Sequence, residues 1–439
     1  MTTAKTKRSV SLPILPPEIW VCIFDNATYV PGVLVPEIYD QSAIIGPLYN
    51  QKYNPALRAA LVTKRCLVRV CKQWWHLASP YLYRSVYIGR TRCLSSLCSM
   101  LTRSAAGQGI MTGQKPLGFW TQRLDVAIRD HGTDFFAEIA TLADVINCLP
   151  SLAVVSFSSS SSAYDISKMP ATILTALRCS AATLRVLDLS PLFSPSPEEL
   201  SELLRDCSHL RILNCHHFVW SPGVPLGAII PNVTTLGLYG IQIPSASTVI
   251  APQNGPISLR ELILFMTYQE DQWSDFMRHN GSCLTALHLY GFGIRGPHHA
   301  MEYLRLVEET CSNLRRITLS LARFSVLRYD IHLPPIKYLG LRAENYLTPK
   351  SELQHLFSLL ESLKTTAPSI RVVQLTDRHN VNCLLRSHPQ VAVRGLKKLA
   401  GCTFRLEDHD GNLLEGSRLA DICDNLYLIL VADGYCLVR

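Results

Sequence analysis

Residues 184–189 read Leu-Arg-Val-Leu-Asp-Leu, and this stretch decides the fold because its apolar spacing recurs along much of the chain. The pattern is apolar-x-x-apolar-x-apolar, and successive copies begin 22 to 34 residues apart. The eight copies begin at Leu184, Leu210, Val233, Leu259, Leu284, Leu314, Ile336 and Ile370. Repetition at this period predicts a solenoid, in which each repeat packs on its neighbours, and it favours binding over chemistry in a pocket.

The composition agrees with a folded protein that works inside the cell. Of 439 residues, 48% are hydrophobic, which excludes wholesale disorder. The net charge of +8 is modest for this length, so nucleic acid is not an expected partner. No apolar run is long enough for a membrane span, and the basic, polar residues 1–11 predict a disordered tail without a secretory signal. We therefore expect a cytoplasmic or nuclear protein that does not bind membranes.

The sequence offers no catalytic, metal or cofactor site. Its 15 cysteines include no C-x-x-C pair, so structural zinc is not predicted and the thiols are expected to be reduced. Nucleophile-elbow, zinc-protease and phosphate-loop motifs are absent in any suitable context. We expect a protein that is not an enzyme and that needs no cofactor.

Helical segments alternate with the repeated strands. The apolar spacing predicts helices over 198–207, 273–279, 301–311 and 352–364, each lying between two copies of the pattern. One strand and one helix per repeat resembles the leucine-rich repeat family over residues 119–395. The resemblance implies an α/β solenoid shaped like a horseshoe. Residues 86–118 are then a connector, and residues 396–439 form a C-terminal cap with a turn at Asp410-Gly411-Asn412.

The N-terminal part carries a different pair of motifs. Leu15-Pro16-Pro17-Glu18-Ile19 is followed by Ile23-Phe24, and Val70-Cys71-Lys72-Gln73-Trp74 is followed by Leu77. Pro17 suits the first turn of a helix, where no backbone N–H is required. Between the motifs, residues 30–55 are rich in proline and glycine and predict an inserted loop.

Together the two motifs resemble an F-box, a small three-helix module that begins with Leu-Pro-x-Glu and closes on Val-Cys-Lys-x-Trp. The resemblance covers residues 12–85, and the inserted loop departs from the family pattern. Split modules of this kind are similar to those of basidiomycete F-box proteins. The combined layout is that of an F-box protein with C-terminal leucine-rich repeats.

The resemblance implies a substrate-recognition subunit of a Skp/cullin/F-box ubiquitin ligase. Its helical module would dock a Skp-type adaptor, and through it a cullin-RING ligase, while its repeats would hold a protein substrate. The adaptor-contacting residues carried over from the family are Leu15, Pro16, Pro17, Ile19, Ile23, Phe24, Trp74 and Leu77. The alternative is a leucine-rich-repeat scaffold that binds proteins without an adaptor. In that case the N-terminal helices would be a cap that buries Leu15, Pro16 and Trp74 against the first repeat.

Alternating positions in the strands predict a substrate-binding concave face. The residues that follow the motif in four successive repeats are His216, Tyr239, Phe265 and Tyr290, which predicts an aromatic stripe. Arg316, Tyr338 and Arg342 lie on the same face in later repeats. The alternative is that a flanking loop covers the aromatic side chains.

The second position of the pattern is basic in six of the eight copies. These residues are Arg185, Arg211, Arg260, Arg315, Lys337 and Arg371. A basic stripe of this kind suits an acidic partner or nucleic acid. We favour the simpler interpretation that these residues cap the starts of the strands.

Overall fold

The computed structural model describes residues 15–35, 55–90, 92–108, 111–112, 114–126, 135–157, 167–189, 193–219, 226–242, 258–266, 271–344 and 348–414. The chain divides into two compact units, residues 1–209 and residues 210–439. The predicted tail 1–11 and the final part of the predicted cap lie outside the described residues. None of the helices in the described part of the chain is long and apolar enough to span a membrane.

The first unit begins with three helices and continues with strands and helices in alternation. Its helices are α1 (Pro17–Thr28), α2 (Pro55–Leu67), α3 (Lys72–Tyr83), α4 (Arg92–Ala105), α5 (Phe135–Asn147), α6 (Ala171–Arg178) and α7 (Pro197–Asp206). Its parallel strands are β1 (Ser85–Ile88), β2 (Arg123–Val126), β3 (Val154–Phe157) and β4 (Val186–Asp188). Short strands pair at Met111–Thr112 with Lys115–Pro116, and at Ser167–Lys168 with Phe193–Ser194.

The described residues of the second unit form eight further strands, each parallel to the next. They are β5 (Ile212–Val219), β6 (Thr235–Gln242), β7 (Glu261–Phe265), β8 (Ala286–Phe292), β9 (Arg316–Leu321), β10 (Tyr338–Ala343), β11 (Val372–Leu375) and β12 (Arg405–Glu407). Its helices are α8 (Leu226–Ile229), α9 (Asp271–Asn280), α10 (Pro297–Thr310), α11 (Lys350–Thr366), α12 (Arg378–Asn382) and α13 (Pro389–Leu399), with a π-helical turn at Cys383–Ser387.

The protein therefore has the predicted α/β fold, in which parallel strands alternate with helices in a leucine-rich-repeat-like arrangement. Register confirms the repeat pattern, because equivalent apolar positions pair across neighbouring strands. Leu236 pairs with Leu213 on one side and with Leu262 on the other, and Leu262 pairs with Leu287. These side chains are fully buried, so each repeat contributes a layer of leucine to one continuous apolar core.

The first strand of the sheet lies earlier than the sequence suggests. β1 falls almost wholly within residues 86–118, which the pattern predicts to be a connector, and it pairs with β2. Tyr83, Val86 and Ile88 have the spacing of the repeat, but Tyr83 precedes β1 and is the last residue of α3. One residue thus ends the helical module and begins the repeats. At the other end, β12 adds one more strand within the predicted cap.

The chain after α1 is tied to the first strands. The Arg123 guanidinium, at the start of β2, donates to the carbonyl oxygen of Val33, and Arg185 Nη2 donates to the carbonyl oxygen of Leu34 at 2.7 Å. Arg123 is buried and also pairs with Asp125, with 3.1 Å between Nε and Oδ2. Val33 and Leu34 are therefore bonded to a residue at the start of β2 and to the residue just before β4.

Candidate partner-binding surfaces

The three N-terminal helices form a small aromatic core of their own. Phe24 is fully buried at its centre, with Val68 from the end of α2 and Ala78 from α3. The Trp74 ring lies 4.7 Å from the Trp20 ring and 4.9 Å from the Phe24 ring, between centroids. Trp20 and Phe24 are four residues apart and so share one face of α1. The closing tryptophan of the second motif therefore joins α3 to α1.

The cysteine of the second motif has a local structural role that the sequence did not reveal. Cys71 is the N-cap of α3, and its Sγ accepts a hydrogen bond from the backbone N–H of Trp74 at 3.5 Å. A side-chain acceptor at this position satisfies one of the free N–H groups at the start of a helix. The spacing Cys-x-x-Trp thus sets where α3 begins and which residue enters the core.

The adjacent face of α1 is apolar but exposed. Ile19 is 46% exposed and Ile23 is 42% exposed, and their spacing of four residues places both on one side of the helix. Pro16 and Pro17 are exposed at the start of the same helix, and Leu15 is half-buried. Isolated exposed apolar residues are ordinary, whereas a cluster on one helix indicates an interaction surface. We call Leu15, Pro16, Pro17, Ile19 and Ile23 the α1 surface.

The structure divides the eight adaptor-contacting residues of the family resemblance into two groups. Five form the α1 surface. Phe24 is fully buried, because it fills the space between the three helices, so it supports the surface and does not belong to it. Trp74 and Leu77 are partly buried and pack against the same core. The second motif therefore acts mainly by positioning α1.

In the second unit, alternating strand residues place part of the predicted stripe together. The rings of Phe265 and Tyr290 stack with centroids 4.8 Å apart and planes inclined by 19°. Both residues are half-buried. His216 and Tyr239 occupy equivalent positions on β5 and β6, but their side chains lie outside the described residues, so their place in the stripe stays a prediction.

Of the three remaining predicted residues, Arg342 joins this group through a cation–π contact, whereas Arg316 and Tyr338 form a cation–π pair of their own. The Arg342 guanidinium lies 5.6 Å from the Tyr290 ring centroid, and the Arg316 guanidinium lies 4.2 Å from the Tyr338 ring centroid. The Tyr338 hydroxyl donates to Oε1 of Gln374 on the next strand. We call Phe265, Tyr290, Arg316, Tyr338 and Arg342 the aromatic–arginine row. Aromatic and arginine side chains are the types most enriched at protein interfaces.

Other residues on the same face are buried, although alternation predicts them to be exposed. Thr235 and His288 are almost completely buried, because both bond to Glu261 on the strand between them. The distances are 3.1 Å from Thr235 Oγ1 to Glu261 Oε2 and 2.7 Å from His288 Nε2 to Glu261 Oε1. Only part of this face is therefore accessible to a partner.

The basic residues at the second position of the pattern lie at the starts of strands, as the simpler interpretation expects. Arg211 Nη1 donates to the carbonyl oxygen of Asn232 at 3.2 Å, beside the next repeat. The carbonyl oxygen of Arg211 accepts from the backbone N–H groups of Thr234 and Thr235. These contacts support the capping interpretation, in which the basic residues serve the repeat itself.

One cluster of possible metal ligands occurs in the described part of the chain. Single ligand atoms of Asp408, His409 and Asp410 lie within 4.8 Å of one another. Asp408 Oδ1 accepts from the backbone N–H groups of Asp410 and Asn412, at 2.9 and 2.8 Å. Partial burial raises the pKa of Asp408, but hydrogen bonds from Asn412 and Asp410 outweigh it and leave the pKa below its usual value. The turn itself explains the cluster, so we assign no metal to it.

Comparisons with known proteins leave the function to be argued from this geometry. No protein-family model matches the chain, and no curated protein matches it significantly.

Proposed function

We propose that this protein is a substrate-recognition subunit of a Skp/cullin/F-box ubiquitin ligase. The α1 surface would bind the Skp-type adaptor, and the aromatic–arginine row would bind part of the substrate. The observation that carries the proposal is the exposure of Ile19 and Ile23 on a helix whose other face is anchored by Trp20, Phe24 and Trp74.

The degree of burial of the two motifs supports an adaptor-binding module and argues against an N-terminal cap on the repeats. A cap would bury Leu15, Pro16 and Trp74 against the first repeat. Pro16 is exposed and Leu15 is half-buried, while Trp74 is covered by aromatic rings of its own module. Leaving apolar residues in water is unfavourable, by about 25 cal/mol for each Å² of apolar area. An adaptor that covers Ile19 and Ile23 would recover this free energy.

No residue of this chain need perform chemistry in the proposed function. A subunit that holds adaptor and substrate together raises the local concentration of the substrate at the transfer machinery, which accelerates the reaction by proximity. Ubiquitin transfer would then depend on the partner subunits. The adaptor-independent scaffold remains the alternative function.

Co-purification with the Skp-type adaptor of the host tests the proposal. The native chain and an Ile19→Ser, Ile23→Ser double variant are each co-expressed with the adaptor in parallel experiments. Ile294→Ser is a matched control, because Ile294 is 55% exposed and belongs to the repeats. We expect adaptor with the native chain and with Ile294→Ser, and at least about a tenfold loss with the double variant, equal to about 1.4 kcal/mol of binding free energy.

Circular dichroism of each purified variant verifies that it is folded. A folded native chain that recovers no adaptor contradicts the proposal and leaves the scaffold. If the double variant recovers as much adaptor as the native chain, the α1 surface is not part of the adaptor interface.

A further inference from the structure

A cavity of about 140 Å³ lies in the first unit, between the end of α1, the side of α2 and the start of β1. One wall is formed by residues 28–30 and 32–35, at the end of α1 and just after it. The opposite wall includes Lys64 from α2, with Arg84 and Ser85 from the start of β1. None of these residues belongs to the proposed adaptor surface, and the pattern of the repeats does not require a cavity at this position.

Lys64 is the unusual group in this cavity. It is 6% exposed, and its amine has no hydrogen-bond or ion-pair partner among the described residues. Burial, and secondarily the nearby Arg84 guanidinium, lower the pKa of Lys64 to about 8. An amine with that pKa is still mostly protonated at neutral pH. The cavity therefore contains a buried positive charge, which is unfavourable unless an anion accompanies it.

Among the described residues that line the cavity, the other charged side chains are Asp25 and Arg84. Arg84 Nη1 is 2.9 Å from Asp25 Oδ1, so these two residues form an ion pair. Among the described residues, the lining therefore carries one carboxylate and two cations, which is a net charge of +1 when Lys64 is protonated. A monoanion would balance it, whereas a phosphate dianion would leave an excess negative charge in a partly apolar space.

The rest of the wall is suited to an apolar group. Val30, Val33, Leu34 and Val35 line it. The carbonyl oxygens of Val33 and Leu34 already accept hydrogen bonds from Arg123 and Arg185. The carbonyl oxygens of these two residues are therefore engaged elsewhere, and the lining contains apolar residues that suit a carbon chain.

We propose that this cavity binds a small organic monocarboxylate, with its carboxylate at the Lys64 amine and its apolar body against Val33 and Leu34. Binding supplies the missing partner of a buried cation and covers apolar wall at the same time. The site is independent of the proposed ligase function, because neither the α1 surface nor the aromatic–arginine row contributes to it.

Binding and protonation of Lys64 are coupled. A bound carboxylate favours the ammonium form, so it raises the pKa of Lys64 and makes the amine less reactive. Affinity should fall as the pH rises above about 8, where the free amine loses its proton. Among the described residues, Asp25, Tyr29 and Arg84 are the other titratable groups that line the cavity.

Competitive acetylation of the full chain tests the site. Lys64 acetylation by a limiting reagent is followed by peptide mass spectrometry, with the exposed Lys350 as an internal reference. The probes are 4-methylpentanoate, its neutral amide and inorganic phosphate. We expect 4-methylpentanoate to slow acetylation of Lys64 by about tenfold, which corresponds to a pKa rise of one unit, without changing Lys350. The amide and phosphate should protect neither lysine.

Titration calorimetry with Lys64→Met gives a second measurement. This variant should fold and lose 4-methylpentanoate binding, whereas Lys350→Met should retain it. Equal protection by the amide or by phosphate would overturn the proposal, as would unchanged binding to Lys64→Met. Failure to bind the Skp-type adaptor would leave this result unaffected, so the two proposals fail separately.

Discussion

The repeats and the N-terminal helices use similar apolar residues in opposite ways. In the repeats, Leu236, Leu262 and Leu287 are fully buried, because each pairs with its equivalent in the next strand. On α1, Ile19 and Ile23 are almost half exposed, although the same helix buries Phe24 completely. Apolar residues that repeat along the chain therefore indicate core, whereas apolar residues in excess of a small core indicate a binding surface.

The largest expected effect distinguishes the two cores. Phe24→Ala removes the central ring of the helical module and should lower its stability by about 3–5 kcal/mol. Leu287→Ala should lower the stability of the repeats by about 2–5 kcal/mol. Hydrogen exchange locates each loss of stability. We expect faster exchange in α1 and α3 for Phe24→Ala, and faster exchange in β7 to β9 for Leu287→Ala. Identical exchange maps for the two variants would contradict two separate cores.

A smaller effect, of opposite sign, concerns Lys64. Its pKa of about 8 in the folded protein is below the value of 10.5 for a free side chain. Below pH 8, Lys64 is protonated in both the folded and the unfolded protein, so the folded protein bears the full penalty of burying the charge. Between about pH 8 and pH 10.5, Lys64 is protonated only in the unfolded protein, so the free energy of unfolding rises with pH. Lys64→Met should therefore stabilise the protein at pH 7 by about 1–3 kcal/mol.

Urea unfolding at several pH values measures this difference. The gap between Lys64→Met and the native chain should narrow as the pH rises through that window. Lys350→Met, at an exposed position, should show neither effect. A gap that is constant with pH would show that burial does not perturb Lys64.

The smallest effect is expected on the α1 surface. Ile19→Ser should lower the free energy of unfolding by about 1 kcal/mol, much less than Phe24→Ala, because almost half of the side chain is in water already. Thermal unfolding of Ile19→Ser and of Phe24→Ala compares the stability effects of two residues in the same helix. A loss as large as that of Phe24→Ala would mean that Ile19 belongs to the core.

The strands of the repeats could be predicted because their register depends on a period that the sequence displays. Leu213, Leu236 and Leu262 occupy equivalent positions in the pattern and pair with one another. β1 escaped prediction because Tyr83 belongs to both α3 and the first copy of the pattern. A rule that assigns each residue to one element cannot find such a boundary.

The accessible part of the candidate surfaces was harder to predict. Alternation places His288 and Tyr290 on the same face of β8, but His288 bonds to Glu261 on the neighbouring strand and is buried, whereas Tyr290 is half-buried. Lys64 lies in a helix whose sequence does not distinguish it from a solvated lysine. In both cases burial depends on residues distant in the chain, such as Glu261 for His288 and Val33 for Lys64. Local patterns carry no information about such neighbours.

The two hydrogen bonds from Arg123 and Arg185 to the chain after α1 have a consequence for geometry. A flexible tether would let α1 sample many orientations, so anything bound to it would be dispersed over a large volume. Here the carbonyl oxygens of Val33 and Leu34 are held at two points along the first strands. A partner bound to α1 would therefore be held in a narrow range of distances and angles relative to β2 and β4.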